Sequence, residues 1–135
     1  MNSITDIWEQ LADKYGSRIA LKDETTGYSI SFSELNKNIN TVAQILNSLN
    51  LEADCKIALC MKPHPLWHVI DQAIMKNNFI SVLCDYTSNY LEVKHFIDSM
   101  QIKILFTDNI KLIDSFLKYD SLSYIFYVNN SNTIF

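Results

Sequence analysis

The sequence predicts an α/β fold: an N-terminal helix and β-hairpin followed by a doubly wound, mostly parallel sheet of about four βα units. Three observations predict it. From Lys56 onward, short apolar runs alternate strictly with segments of helical period, the signature of βαβ units. Those runs are apolar throughout instead of at every second residue, which requires cover on both faces of the sheet. The 135 residues are 48% hydrophobic and 19% charged, far from the composition of a disordered chain and enough to enclose a core. We delimit one α/β domain over residues 1–128 and a polar tail over 129–135.

The first element is an amphipathic helix over Ile4 to Tyr15. Ile4, Ile7, Trp8, Leu11 and Ala12 recur at helical spacing, with Ser3 placed to cap the start. Arg18 to Lys22 and Tyr28 to Phe32 are β-prone runs around Asp23-Glu24-Thr25-Thr26-Gly27, a polar stretch suited to a hairpin turn. Ser31 and Glu34 have the spacing of a capping box, so a second helix opens there. Its stripe of Leu35, Ile39, Val42, Ala43, Leu46 and Leu49 faces a core.

The alternating region then follows. Lys56 to Met61 reads as a strand and Leu66 to Lys76 as a helix with Pro65 in its first turn. Phe79 to Cys84 is the next strand, and Tyr90 to Met100 the helix announced by Asn89 and Glu92. Lys103 to Thr107 is a third strand, Ile110 to Lys118 a helix capped by Asp108 or Asn109, and Tyr124 to Val128 the last strand. Trp8 and Trp67 lie on helical stripes and are expected in the core.

Composition excludes several kinds of function. The chain has only two glycines, Gly16 and Gly27, so no Walker A loop, dinucleotide fingerprint or nucleophile elbow can be assembled. A formal net charge of −4 with no basic run argues against nucleic acid. The longest apolar runs fall far short of the roughly 20 residues of a membrane-spanning helix. Met1 to Leu11 carries Asp6 and Glu9 and lacks the cationic start of a secretory signal, so we expect a cytoplasmic protein with no membrane partner. Three cysteines, Cys55, Cys60 and Cys84, form no Cys-x-x-Cys pair. Cys60 and Cys84 lie in apolar strands as small buried hydrophobes.

Candidate sites have competing structural uses. His64, His68 and Asp71 share one helical face, and a His pair four apart suits zinc. His64, however, stands between Pro63 and Pro65, where it begins a helix. Asp85 and Asp108 follow strands at the carboxyl edge of a parallel sheet, where open α/β sheets bind ligands. Each also precedes a helix that needs a cap or turn. Tyr124 to Val128 suits either a partner-binding edge or core contacts. From these residues we assign no catalytic, cofactor-binding or metal-ligating side chain.

The order of elements resembles the beginning of the adenylate-forming superfamily, which includes acyl-CoA synthetases and the adenylation domains of nonribosomal peptide synthetases. ITDIWEQLADKYGSRIAL, from Ile4 to Leu21, is similar to the family's opening helix and the start of its hairpin. ISFSELN, from Ile30 to Asn36, resembles its aromatic-x-Glu-Leu segment, and LNSLNLEADCKIALCM, from Leu46 to Met61, its helix end, turn and strand. Phe79 to Asp108, through HFIDSMQIKILFTD, resembles the segment that follows. The sequence departs from the family where Met75-Lys76-Asn77-Asn78 replaces a Lys-Ala-Gly-Gly stretch and Leu83-Cys84-Asp85-Tyr86 replaces Pro-Leu-Asp-Pro. The family's phosphate loop, adenine motif, ribose-binding aspartate and mobile C-terminal domain have no counterpart in these residues.

The resemblance implies an N-terminal piece or truncated relative of an adenylate-forming domain, catalytically incomplete alone. It would serve carboxylate activation for acyl or peptide natural-product synthesis, with ATP and Mg entering only through the missing parts. Expected partners are a complementary adenylation fragment, a carrier or synthase protein, or a second copy. The alternative is a degenerate adenylation-like module kept for protein binding and assembly. A small doubly wound regulator, holding magnesium at Asp85 and Asp108, is a third and thinner reading.

Overall fold

The computed structural model describes residues 6–119 and 121–129. The elements run α1 (Asp6–Tyr15), β1 (Ile19–Lys22), β2 (Ser29–Ser31), α2 (Phe32–Asn47), β3 (Lys56–Cys60), α3 (Pro65–Lys76), β4 (Ile80–Leu83), α4 (Tyr90–Met100), β5 (Ile104–Thr107), α5 (Ile110–Phe116) and β6 (Tyr124–Tyr127). This is the predicted α/β order, with element ends within a few residues of the expected ones. The expected helix start at Ile4, its cap Ser3 and the tail over 130–135 lie outside the described residues.

The chain forms two compact units, one of Met1–Leu51 with His64–Asn78 and one of Glu52–Pro63 with Phe79–Phe135. In the first, β1 and β2 pair antiparallel with a bulge between Ile19 and Leu21. The turn is built by Asp23, whose carboxylate accepts from the Thr25 amide and the Thr26 hydroxyl at 3.2 and 2.7 Å. Gly27 closes it at φ +77°, a conformation that a side chain disfavours. The capping box predicted for α2 is complete. Ser31 Oγ accepts from the Glu34 amide, and Glu34 accepts from the Ser31 amide, both at 3.1 Å. Leu35, Ile39, Val42, Ala43 and Leu46 are buried along α2, which packs on α1 and α3, while Leu49 is half-buried.

Neither tryptophan belongs to the core, contrary to the expectation from helical spacing. Trp8 and Trp67 are both half-buried. Helix α1 has no buried residue, and the Trp8 indole N–H donates to the Gln72 side chain at 2.8 Å. An indole carries a donor that needs a partner, which favours a rim position over an apolar interior.

In the second unit the sheet order is β4-β3-β5-β6, every pair parallel. One face carries Ala58, Cys60, Val82, Cys84 and Leu105, packed with Val93 and Ile97 of α4 and Leu112 and Phe116 of α5 in one buried cluster. The alternate residues Ile57, Leu59, Ile104 and Phe106 are buried as well, which is why these strands read as continuous apolar runs. Helix α4 starts at a second complete capping box, Asn89 with Glu92. It ends on Gln101 in the left-handed conformation, φ 56° and ψ 47°.

Candidate functional site

The sheet's connectivity marks a place for a site before any side chain is considered. From β3 the chain passes outward to β4, then returns across to β5 on the other side and continues to β6. The direction of travel reverses between β3 and β5, and the carboxyl ends of those strands form the crevice where open α/β sheets take ligands. The sequence puts Met61 and Lys62 at the end of β3, Asp108 at the end of β5, and Cys84 and Asp85 at the end of β4.

Each carboxylate there has a structural partner. The Lys62 amide donates to Asp108 Oδ2 at 3.2 Å, a tie across the crevice between residues 46 apart in sequence. Asp85 Oδ1 accepts from the Thr87 amide at 2.9 Å and its hydroxyl at 2.8 Å, a turn that holds the Asp85 carboxyl below the usual carboxylate range. Asn109, not Asp108, caps α5, accepting from the Lys111 amide at 3.0 Å. Buried Thr107 supports it by accepting from the Asn109 amide at 3.1 Å. The magnesium reading rested on Asp85 and Asp108 acting together, and each has its own separate contact.

His64 begins α3, as the flanking prolines suggested. It is buried, its Nδ1 accepts from the Leu66 amide at 3.1 Å, and its ring lies 4.7 Å from that of Tyr28 in the hairpin. His68 is exposed, edge-on to Trp67 at 5.0 Å, and Asp71 is half-buried. Among the described residues, no three His, Cys, Asp or Glu side chains form a group able to hold a metal. Two relationships had no local signal in the sequence: the Lys62–Asp108 tie and the tilted packing of the His64 ring against Tyr28.

Cys60 and Cys84 occupy the end of the crevice side of the core, both buried, with Cys60 Sγ 3.5 Å from the Asp85 carbonyl. Burial pushes the Cys60 thiol from 9.0 up to about 12, and the Cys84 thiol with the Asp108 and Asp85 carboxylates push the same way. A raised thiol favours the protonated form in the folded state. Its contribution to stability is therefore complete below pH 9 and is lost as pH climbs toward 12. We expect stability, followed by urea unfolding from neutral pH to about pH 11, to fall on the alkaline side, and Cys60→Ala to flatten that fall.

These features define an α/β domain with a strand-end crevice already stitched by its own side chains. The model of the AMP-binding enzyme family matches residues 8–130, so the chain belongs to that family. Among curated relatives, the Arabidopsis thaliana chloroplastic long-chain-fatty-acid–[acyl-carrier-protein] ligase AEE15 is 35% identical over 83 residues, 60% of this chain and 11% of that protein. The probable acyl-activating enzyme 16, chloroplastic, of the same plant is 28% identical over 109 residues, 79% of this chain and 15% of that protein. This chain therefore spans a small part of either relative. Among solved structures, the N-terminal domain of FACL13 from Mycobacterium tuberculosis superposes with a TM-score of 0.84 at 15% identity, over 97% of this chain and 34% of that one. The N-terminal subdomain of NpsA from Klebsiella oxytoca superposes at 0.70 with 18% identity, over 81% of this chain and 27% of that one.

At Asn78, one of the two positions where the resemblance implies glycine, the backbone keeps the geometry that glycine serves. Asn78 sits at φ 60°, and among side-chain-bearing residues asparagine enters the left-handed region most easily. Asn77 uses its side chain, donating to the Ala43 carbonyl at 2.7 Å. Asn78→Ala is expected to cost about 1–2 kcal/mol and Asn78→Gly to cost nothing, a difference read from urea midpoints.

Proposed function

We propose that this chain is the N-terminal structural part of an adenylate-forming enzyme of the fatty-acyl branch, inactive by itself and active when the rest of the domain is supplied. The family match over residues 8–130 carries the reading. The names of both curated relatives, an acyl-carrier-protein ligase for long-chain fatty acids and an acyl-activating enzyme, support fatty acid over amino acid as the activated carboxylate. The solved neighbours, at 15–18% identity, support the fold alone.

The residues gathered at the carboxyl edge do not fit a nucleotide. Phosphates need clustered amides or cations, and here two carboxylates face the crevice loops while the two glycines belong to the hairpin and the α1–β1 junction. ATP and magnesium therefore belong to the remainder of the enzyme, and this chain's task is to furnish part of the scaffold. Both curated relatives are named chloroplastic. No helix among the described residues is long and apolar enough to cross a membrane.

The test mixes this chain with the AEE15 polypeptide lacking the segment that matches it, and measures ATP–pyrophosphate exchange with a long-chain fatty acid. Exchange by the mixture, and none by either component, is the expected result. Exchange by this chain alone, or none by the mixture, overturns the reading.

A further inference from the structure

Cys60 and Cys84 stand side by side in the sheet. Strands β3 and β4 pair in parallel with Leu59 opposite Leu83, so the next pair in that register is Cys60 and Cys84. The ladder continues as far as this pair, the Cys84 amide donating to the Leu59 carbonyl at 3.1 Å. Both side chains enter the same cluster with α4 and α5, and both are free thiols. Neighbouring strands lie about 4.8 Å apart, inside the roughly 4.4–6.8 Å between Cα atoms that a disulfide spans.

Two further observations favour closure. The Cys60 thiol donates to the Asp85 carbonyl at 3.5 Å, so its sulfur leans toward the segment to which Cys84 belongs. A bridge needs Cβ atoms about 3.5–4.5 Å apart, somewhat closer than strand neighbours stand, and β4 is the strand able to give. It is an edge strand of four residues, paired on one side only among the described residues, with Ile80 and Leu83 exposed. Cys84 lies just past its end, where a sheet opens most easily. Cys55 is out of reach, because it precedes the other end of β3, about 17 Å from Cys60 at the rise of a strand.

From this we infer that Cys60 and Cys84 form a redox-sensitive pair that closes to a disulfide across β3 and β4 at the carboxyl edge of the sheet. The inference does not depend on the proposed function. The oxidant is a small-molecule disulfide of the glutathione type. Cys84, 8% exposed against 1% for Cys60, meets it first when the end of β4 opens. The Cys84 thiolate bonds to one sulfur and breaks the S–S bond, and the departing thiolate takes up the proton that Cys84 lost. The Cys60 thiolate then attacks the Cys84 sulfur and expels the second thiolate, which is protonated in turn. Two protein thiols are thereby oxidised to one disulfide, and one small disulfide is reduced to two thiols. Burial keeps both thiols protonated and slow while the sheet is closed, so the pair answers sustained oxidation and not brief exposure. The bridge closes a loop that contains all of α3, which restricts the unfolded chain.

The test incubates the whole folded chain with glutathione disulfide and maps its cysteines by peptide mass spectrometry without reduction. We expect a linked Cys60–Cys84 peptide carrying two hydrogens fewer than its reduced parts, with Cys55 remaining a thiol or a glutathione adduct. The bridged chain should unfold at a higher urea midpoint than the reduced chain. It should also lose the part of the alkaline fall in stability that belongs to Cys60, which no longer has a proton to give. Cys84→Leu should abolish the linked peptide, with circular dichroism confirming that the variant folds. Cys60 and Cys84 that stay reduced in the folded chain, or links in the folded chain that include Cys55, overturn the inference. A bridged chain that unfolds at lower urea than the reduced one overturns it as well.

Discussion

Phe116→Ala is expected to remove about 3–5 kcal/mol of stability, a large share of the roughly 5–15 kcal/mol that holds a domain of this size. Phe116 is among the largest fully buried side chains and is the anchor of α5, a helix of only seven residues. So short a helix has little stability of its own in water and persists through packing. Phe116 supplies that packing: its ring lies 4.7 Å from Tyr90 of α4 and 5.5 Å, edge-on, from Tyr119, within the cluster that includes Ala58, Val82 and Leu105 of the sheet. Removing the ring leaves a cavity bounded by three elements that cannot all close on it. Chemical denaturation should show the loss, and hydrogen exchange should show α5 opening first. A loss below about 1 kcal/mol would mean that the site collapses freely. The conservative Phe116→Leu keeps most of the volume and should cost under about half as much.

The parts of this fold that were legible in the sequence are those in which local chemistry and global packing agree. Ser31 with Glu34 and Asn89 with Glu92 were readable as capping boxes because each pair satisfies its own helix end, and both form as expected. Strands β3 and β5 were readable because residues buried on both faces leave no polar gaps. Strand order was not readable, since β4-β3-β5-β6 depends on contacts between residues tens of positions apart. The same reason hid the Lys62–Asp108 tie and left the cap of α5 undecided between Asp108 and Asn109. The location of a candidate site was visible, because Asp85 and Asp108 mark strand ends, but their duties were decided by the partners that folding brought to them. The tryptophans show the opposite error: helical spacing identifies the face a side chain occupies and not how deep that face lies.

Gly16→Ala is expected to destabilise the first unit by about 1–3 kcal/mol, more than its single added methyl suggests. A Cβ built on Gly16 meets Ser33 Oγ at 2.5 Å and the Ala12 carbonyl at 2.8 Å, both closer than real Cβ contacts allow. The crowding arises because the end of α1 abuts the first turn of α2, where the Ser33 amide donates to the Gly16 carbonyl at 3.0 Å. Around this contact, Tyr15 and Phe32 rings lie 6.1 Å apart, and the Lys14 and Arg18 cations sit over the Tyr15 ring at 5.3 and 5.4 Å. With no buried residue of its own, α1 depends on such rim contacts to stay docked. The double variant separates the two clashes. Ser33→Ala removes the hydroxyl but leaves the Ala12 carbonyl in place, so it should recover only part of the loss, and the coupling energy should be favourable. Denaturation of the wild type, both single variants and the double variant measures it, with exchange of the α1 amides reporting undocking. If Gly16→Ala is neutral, the α1–α2 junction is looser than these distances describe. Full recovery by Ser33→Ala would place the whole cost on the hydroxyl and none on the main chain of α1.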